Sequence, residues 1–151
     1  MNIEEKIETD LKQAMLAGDK PKVSALRNVK SALQYETVAQ GVQEAGLNDE
    51  QTQKVLAREA KKRAEAAEAY KSVGAADRAE SELAEKAIIE NYLPAQASEA
   101  EVEAVVKEEI AKLDSPTHAD MGKIIGVVRG RLGATADGGL IAKLVKQSLE
   151  K

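Results

Sequence analysis

The chain has 151 residues, 43% of them apolar and 32% charged, with a net charge of −4, no Cys, no Phe, no Trp and three tyrosines. That length holds one domain or two small ones, and the lack of cysteine excludes disulfides, thiol catalysis and Cys-based zinc sites. With no large aromatic except Tyr, the core must be assembled from Ala, Leu, Ile and Val, and the 26 alanines favour an all-α protein.

The first helix is predicted from Ile3 to Ala17, with Ile3, Ile7, Leu11 and Ala14/Met15 on one face and Gly18 as its stop. Asp19-Lys20-Pro21 restarts the chain, because proline is tolerated in a first turn. The second helix is expected to bury Val23, Leu26, Val29 and Leu33 and to fade near Gly41. Asn48, with Gln51 three residues on, is a capping box for a third, alanine-lined helix over 49–72. A fourth is predicted over 76–92 with Leu83, Ala87 and Ile88 facing inward. Leu93-Pro94 breaks it, since proline pushes its predecessor out of helical geometry. A domain boundary is expected there, giving a four-helix N-terminal part (1–93) and a three-helix C-terminal subdomain (94–151).

In that second part Ser98–Glu101 reads as a capping box for a helix burying Val102, Val105/Val106, Ile110 and Leu113. Thr117–Asp120 is another, opening a helix with Met121, Ile124/Ile125, Val128 and Leu132 inward. Asp137 is the expected cap of the last helix, whose core face is Leu140/Ile141, Leu144/Val145 and Leu149. The middle helix is unusual. Gly122, Gly126 and Gly130 fall at i, i+4 and i+8, one face of a helix, although each interior glycine costs about 1 kcal/mol relative to alanine. Such a stripe admits close approach of another backbone, above all at Gly122 and Gly126: either a packed helix or a ligand.

Charge is unevenly spread. Residues 1–93 carry 14 basic and 17 acidic side chains, residues 94–120 carry 2 and 7, and residues 121–151 carry 6 and 2. The only net-positive third therefore surrounds the glycine stripe, with Lys123, Arg129, Arg131, Lys143 and Lys146. These five are candidates for phosphate contact; arginine in a last turn also complements the helix dipole, and surface lysines also solubilise. Arg58, Lys61 and Lys62 share a face of the third helix, but the interleaved Glu59, Glu65 and Glu68 make ordinary helix pairs the better reading.

Catalytic residues are not evident. The single histidine, His118, sits within a capping box and reads as an exposed turn residue. There is no His-x-x-x-His pair, Gly-x-Ser-x-Gly elbow or phosphate-binding glycine loop. Glu99, Glu101, Glu103, Glu108 and Glu109 read as a solvated face, so no metal or cofactor is expected. The acidic start, Met1-Asn-Ile-Glu-Glu-Lys, lacks the apolar stretch of a signal peptide, and no apolar run approaches the roughly 18 residues that span a membrane. A soluble, cytoplasmic protein is expected.

Asp120-Met-Gly-Lys, Ala136-Asp-Gly-Gly-Leu-Ile and the following Leu-Val-Lys helix resemble the closing signature of the YqeY family. Asp10-Leu-Lys-Gln-Ala-Met, Leu26-Arg-Asn-Val-Lys-Ser-Ala-Leu, Glu59-Ala-Lys-Lys-Arg-Ala-Glu-Ala and Tyr92-Leu-Pro follow the family's order. The stretch Gly74-Ala-Ala-Asp-Arg-Ala-Glu-Ser departs from its usual Gly-Arg-x-Asp-Leu pattern. The family is similar to the tail domain of the GatB component of the tRNA-dependent Asp/Glu amidotransferase. The resemblance implies a tRNA-docking accessory protein that uses the C-terminal basic face. Its alternatives are an adaptor for an aminoacylation or amidotransferase protein partner and, by kinship alone, a glutamine-dependent carbon–nitrogen ligase. Against the last, the Lys–Ser–Ser type centre of glutamine-hydrolysing amidases is missing.

Overall fold

The computed structural model describes residues 1–150 and contains seven α-helices, with no strand among the described residues. They are α1 (Ile3–Ala17), α2 (Lys20–Ala39), α3 (Asp49–Ser72), α4 (Ala76–Glu90), α5 (Glu99–Ala111), α6 (Met121–Leu132) and α7 (Gly138–Leu149). Two compact units divide the chain, Met1–Leu93 and Pro94–Lys151.

In the first unit local chemistry sets the helix ends. Asn2 and Asn48 form complete capping boxes with Glu5 and Gln51, each satisfying amide donors that helix geometry leaves over. Asp19 caps α2, and Pro21 sits in its first turn. Gly18 turns the chain between α1 and α2 with φ +70°, a left-handed conformation that other residues adopt at a cost. The core is aliphatic: Ile7, Leu11, Leu26, Val29, Leu33, Leu47, Val55, Leu56 and Ile89 are all buried. Buried alanines at 25, 60, 67 and 79 complete it. Thr52 is also fully buried, its hydroxyl satisfied by donating to the Asn48 carbonyl at 2.9 Å.

The Tyr92 hydroxyl fastens the end of this unit to its beginning by donating to Asp10 Oδ2 at 2.5 Å, with Lys6 Nζ 5.7 Å from the ring centroid. Burial, reinforced by the hydrogen bond to the Asp10 carboxylate, pushes the Tyr92 phenol well above its ordinary pKa. Tyr92 thus acts as a latch in the short motif that precedes Pro94.

Helix α4 differs from the expectation. It ends at Glu90, and its inward stripe is Ala79, Glu82, Lys86 and Ile89; Ile88, half-buried, packs against the core as expected, whereas Leu83 and Ala87 are exposed. The reason lies in α3: Arg63 Nη1 reaches Glu82 at 3.3 Å and Glu85 at 3.5 Å. This half-buried ion cluster settles a helical phase that the apolar spacing alone had placed differently. Met15 likewise lies outside the core, 51% exposed, because the α1 stripe runs through Ile7, Leu11 and Ala14.

The second unit packs α5, α6 and α7 around Val102, Val106, Ile124, Val128, Ile141, Leu144 and Val145. Ser98 accepts from the Glu101 N–H at 3.1 Å, which is one half of the expected reciprocal box. The chain entering α5 is tied down by Ala97 N–H, which donates to the Thr135 carbonyl at 2.8 Å, and by Gln96 Nε2, which donates to the Ala134 carbonyl at 3.0 Å. Glu109, expected on a solvated face, is only 8% exposed. Its carboxylate accepts from Lys112 at 2.9 Å and Arg131 at 3.0 Å. Those hydrogen bonds, Lys112 foremost, hold its pKa below the ordinary value against the opposing effect of burial.

Candidate nucleic-acid interface

Helix α6 carries most of the candidate residues, and its placement is over-determined. Thr117 and Asp120 form a complete capping box around the 3-10 turn His118–Asp120, which runs straight into Met121. Ile124 and Val128 anchor the helix in the core. At the far end Gly133, with φ +55°, stops it, and the Thr135 hydroxyl donates to the Leu132 carbonyl at 2.6 Å. His118 is exposed in the turn.

With Ile124 and Val128 pointing inward, helical geometry turns Gly122, Gly126 and Gly130 outward. All three are exposed, and a methyl group added at any of them would meet nothing within 4 Å. Packing among the helices of this unit therefore does not account for the stripe. Lys123 and Arg129 flank it on either side, and Val127, 42% exposed, lies beyond Lys123.

Arg129 also reaches the start of α7, where its Cζ lies 3.6 Å from the position a Gly138 methyl group would take. A bare residue at Gly138 accommodates this guanidinium. Asp137 caps α7 by accepting from the Leu140 N–H at 3.3 Å. On α7, Ile141, Leu144 and Val145 face the core, so Lys143 and Lys146 project from the opposite side, both exposed.

Ion pairing sorts the cations of this unit into two groups. Lys107 pairs with Glu103 at 3.1 Å, Lys112 with Glu109 at 2.9 Å, and Arg131 with Glu108 at 2.9 Å and Glu109 at 3.0 Å. Arg131 thus clamps α6 to α5, and its two carboxylate hydrogen bonds raise its pKa further, Glu108 foremost. Among the described residues Lys123, Arg129, Lys143 and Lys146 have no such partner. Sequence separation hid the clamp: Arg131 stands 22 and 23 residues from its two acids, so no local spacing rule could signal it.

In the first unit Arg58 is held by Glu36 at 3.0 Å and Lys62 by Glu59 at 3.2 Å. They line a groove of about 550 Å³ together with Tyr35. Lys61 is also engaged. No group of three or more His, Cys, Asp or Glu among the described residues is placed to hold a metal ion. None of their helices is long and apolar enough to cross a membrane.

Fold and surface together define an all-helical protein with a bare-backbone, cation-flanked helix in its C-terminal unit. The chain belongs to the YqeY family: the family model described as Yqey-like protein matches residues 4–149, nearly its whole length. No curated protein matches the sequence.

Proposed function

We propose that the C-terminal unit docks on structured RNA, tRNA in particular, through phosphate contacts from Lys123, Arg129, Lys143 and Lys146. The observation that carries this reading is the selective pairing of charge. Every other described cation of the unit is neutralised by a carboxylate, while these four stay exposed with none among the described residues. An exposed cation with no internal partner gains most from phosphate, because contact releases the counterions condensed on the nucleic acid. The open glycine stripe lets a sugar–phosphate backbone come close between Lys123 and Arg129. All three tyrosines lie in the first unit, so stacking of single-stranded bases is not the recognition mode; shape and backbone contacts are. The choice of tRNA rests on the resemblance to the amidotransferase tail domain, and such a partner implies a cytoplasmic protein. In this reading residues 1–93 form a separate helical domain and 94–151 the docking subdomain.

The test is a gel-shift titration with total tRNA at two salt concentrations. Each phosphate contact adds roughly 0.7–0.9 to the log–log salt slope. Replacing Lys143 and Lys146 together by alanine should weaken binding and flatten the slope by about 1–2 units. The same change at the engaged Lys61 and Lys62 should do much less, and equal loss from both pairs would reduce the reading to diffuse electrostatics. Absence of binding by the unaltered protein at low salt would favour the second reading, a protein adaptor, for which the exposed stripe beside Val127 is the motivating feature.

A further inference from the structure

The same sorting of charge picks out a second surface, at the corner between α1 and α2. Most cations of the first unit are held: Lys30 by Glu8, Arg58 by Glu36, and Arg63 by Glu82 and Glu85. Lys6 and Arg78 lie over the rings of Tyr92 and Tyr70. Lys20, Lys22 and Arg27, near the start of α2, have no carboxylate partner among the described residues.

A few residues earlier, at the end of α1, stands the most exposed large hydrophobic side chain among the described residues. Leu16 is 90% exposed and its neighbour Met15 is 51% exposed. The α1 core stripe through Ile7, Leu11 and Ala14 turns Leu16 to the opposite side, where Lys12 precedes it by one helical turn. Met15, on a different face of α1 from Leu16, joins Gly18, Lys20, Val23, Ser24 and Arg27 in lining a groove of about 520 Å³. The nearby carboxylates are already used. Asp19 caps α2 by accepting from the Lys22 N–H at 3.3 Å. Glu85 accepts from the Ser24 hydroxyl at 3.0 Å and pairs with Arg63.

We infer that this corner docks a protein segment presenting an apolar anchor flanked by carboxylates, of the kind found on an acidic amphipathic helix. The groove, with Met15 and Val23 in its lining, takes the apolar side, and Lys20 and Arg27 meet the acids. Complementary potentials of this kind select partners and suppress wrong ones. A second copy of the chain placed on the same patch would set like charges against each other. A phosphate backbone gains nothing from Met15, Leu16 or Val23, and a flat bilayer does not fill a groove. The inference is independent of the RNA reading, since it involves none of the four cations of the C-terminal unit.

The experiment uses the full chain, isotope-labelled for NMR, and two synthetic helical peptides of about 15 residues. Both carry Leu at i, i+3, i+4 and i+7, the anchors of groove-bound helices; one has Glu and the other Lys at the remaining positions. The acidic peptide should give saturable shifts centred on residues 15–27, with at least about tenfold tighter binding than the basic one. Met15→Asp and Arg27→Glu, both at exposed sites and checked for unchanged helicity, should each weaken it by about tenfold or more. Lys143→Ala/Lys146→Ala should leave it intact, which separates this surface from the RNA-docking one. Equal binding of the two peptides, shifts centred elsewhere, or no saturation would overturn the inference. So would binding to tRNA or phosphatidylglycerol vesicles at these residues that Met15→Asp abolishes.

Discussion

Gly126→Ala is the substitution in which stability and binding are expected to move in opposite directions. Gly126 lies mid-helix in α6, has no positive φ, and has open space where the methyl group would go. Alanine there neither clashes nor leaves a cavity. Two effects favour it: the intrinsic helix preference of about 0.8–1.0 kcal/mol in a helix interior, and the reduced freedom of the unfolded chain, which alone corresponds to about 0.4–1 kcal/mol. These overlap, so a net stabilisation of about 0.5–1 kcal/mol is expected. For a cooperative unit the size of Pro94–Lys151, that raises the midpoint by roughly 2–8 °C. Differential scanning calorimetry with urea titration followed by circular dichroism would read both numbers. If the bare stripe admits an RNA backbone, the stabilised variant should bind tRNA more weakly, because the added methyl group holds the phosphates off. A lowered midpoint would refute the structural argument, since it would mean that something in the chain closes on Gly126. A raised midpoint with unchanged tRNA affinity would leave the open stripe standing and remove its role in binding.

Leu26→Ala should destabilise the first unit by about 2–5 kcal/mol, because Leu26 is fully buried, whereas Leu16→Ala, on a 90% exposed side chain, should change stability by less than about 0.5 kcal/mol in urea titrations. Asn48→Ala removes the side-chain acceptor for the Gln51 N–H at 2.8 Å and should cost about 1 kcal/mol, measured the same way. Glu109 predicts an acid limb. Its folded pKa is depressed below the ordinary 4.5, so the folded state binds its proton less readily than the unfolded chain. The stabilisation is fully present above the unfolded pKa and is lost as pH falls through the folded one. Glu109→Gln should therefore flatten the stability profile below about pH 4.5, and an unchanged acid limb would count against the Lys112–Glu109–Arg131 cluster.

Much of the fold was legible residue by residue because helix ends are governed by neighbours a few positions apart. Asn48 with Gln51, Thr117 with Asp120, Asp137 with Leu140, and Gly18 as a stop all obey rules that span three or four residues. The core stripes of α1, α2 and α7 were readable for the same reason, since each has one well-defined apolar face. Where a helix offers two plausible faces, local rules fail. On α4 the spacing Leu83, Ala87 competed with Ala79, Ile89, and the choice was made by Arg63 from another helix.

The candidate site divides along the same line. Sequence alone determined that a glycine-rich, net-positive helix and a lysine-bearing last helix close the chain, because composition and i, i+4 spacing are one-dimensional properties. Only the tertiary structure decided which of those cations are free to meet a partner. Arg131 is taken by Glu108 and Glu109 across α5, whereas Lys123, Arg129, Lys143 and Lys146 have no carboxylate partner among the described residues. It also decided that the glycines face open space and that Glu109 is buried. Coulomb attraction depends on distance through space, and folding brings together charges that lie 22 residues apart in the chain as readily as those four apart.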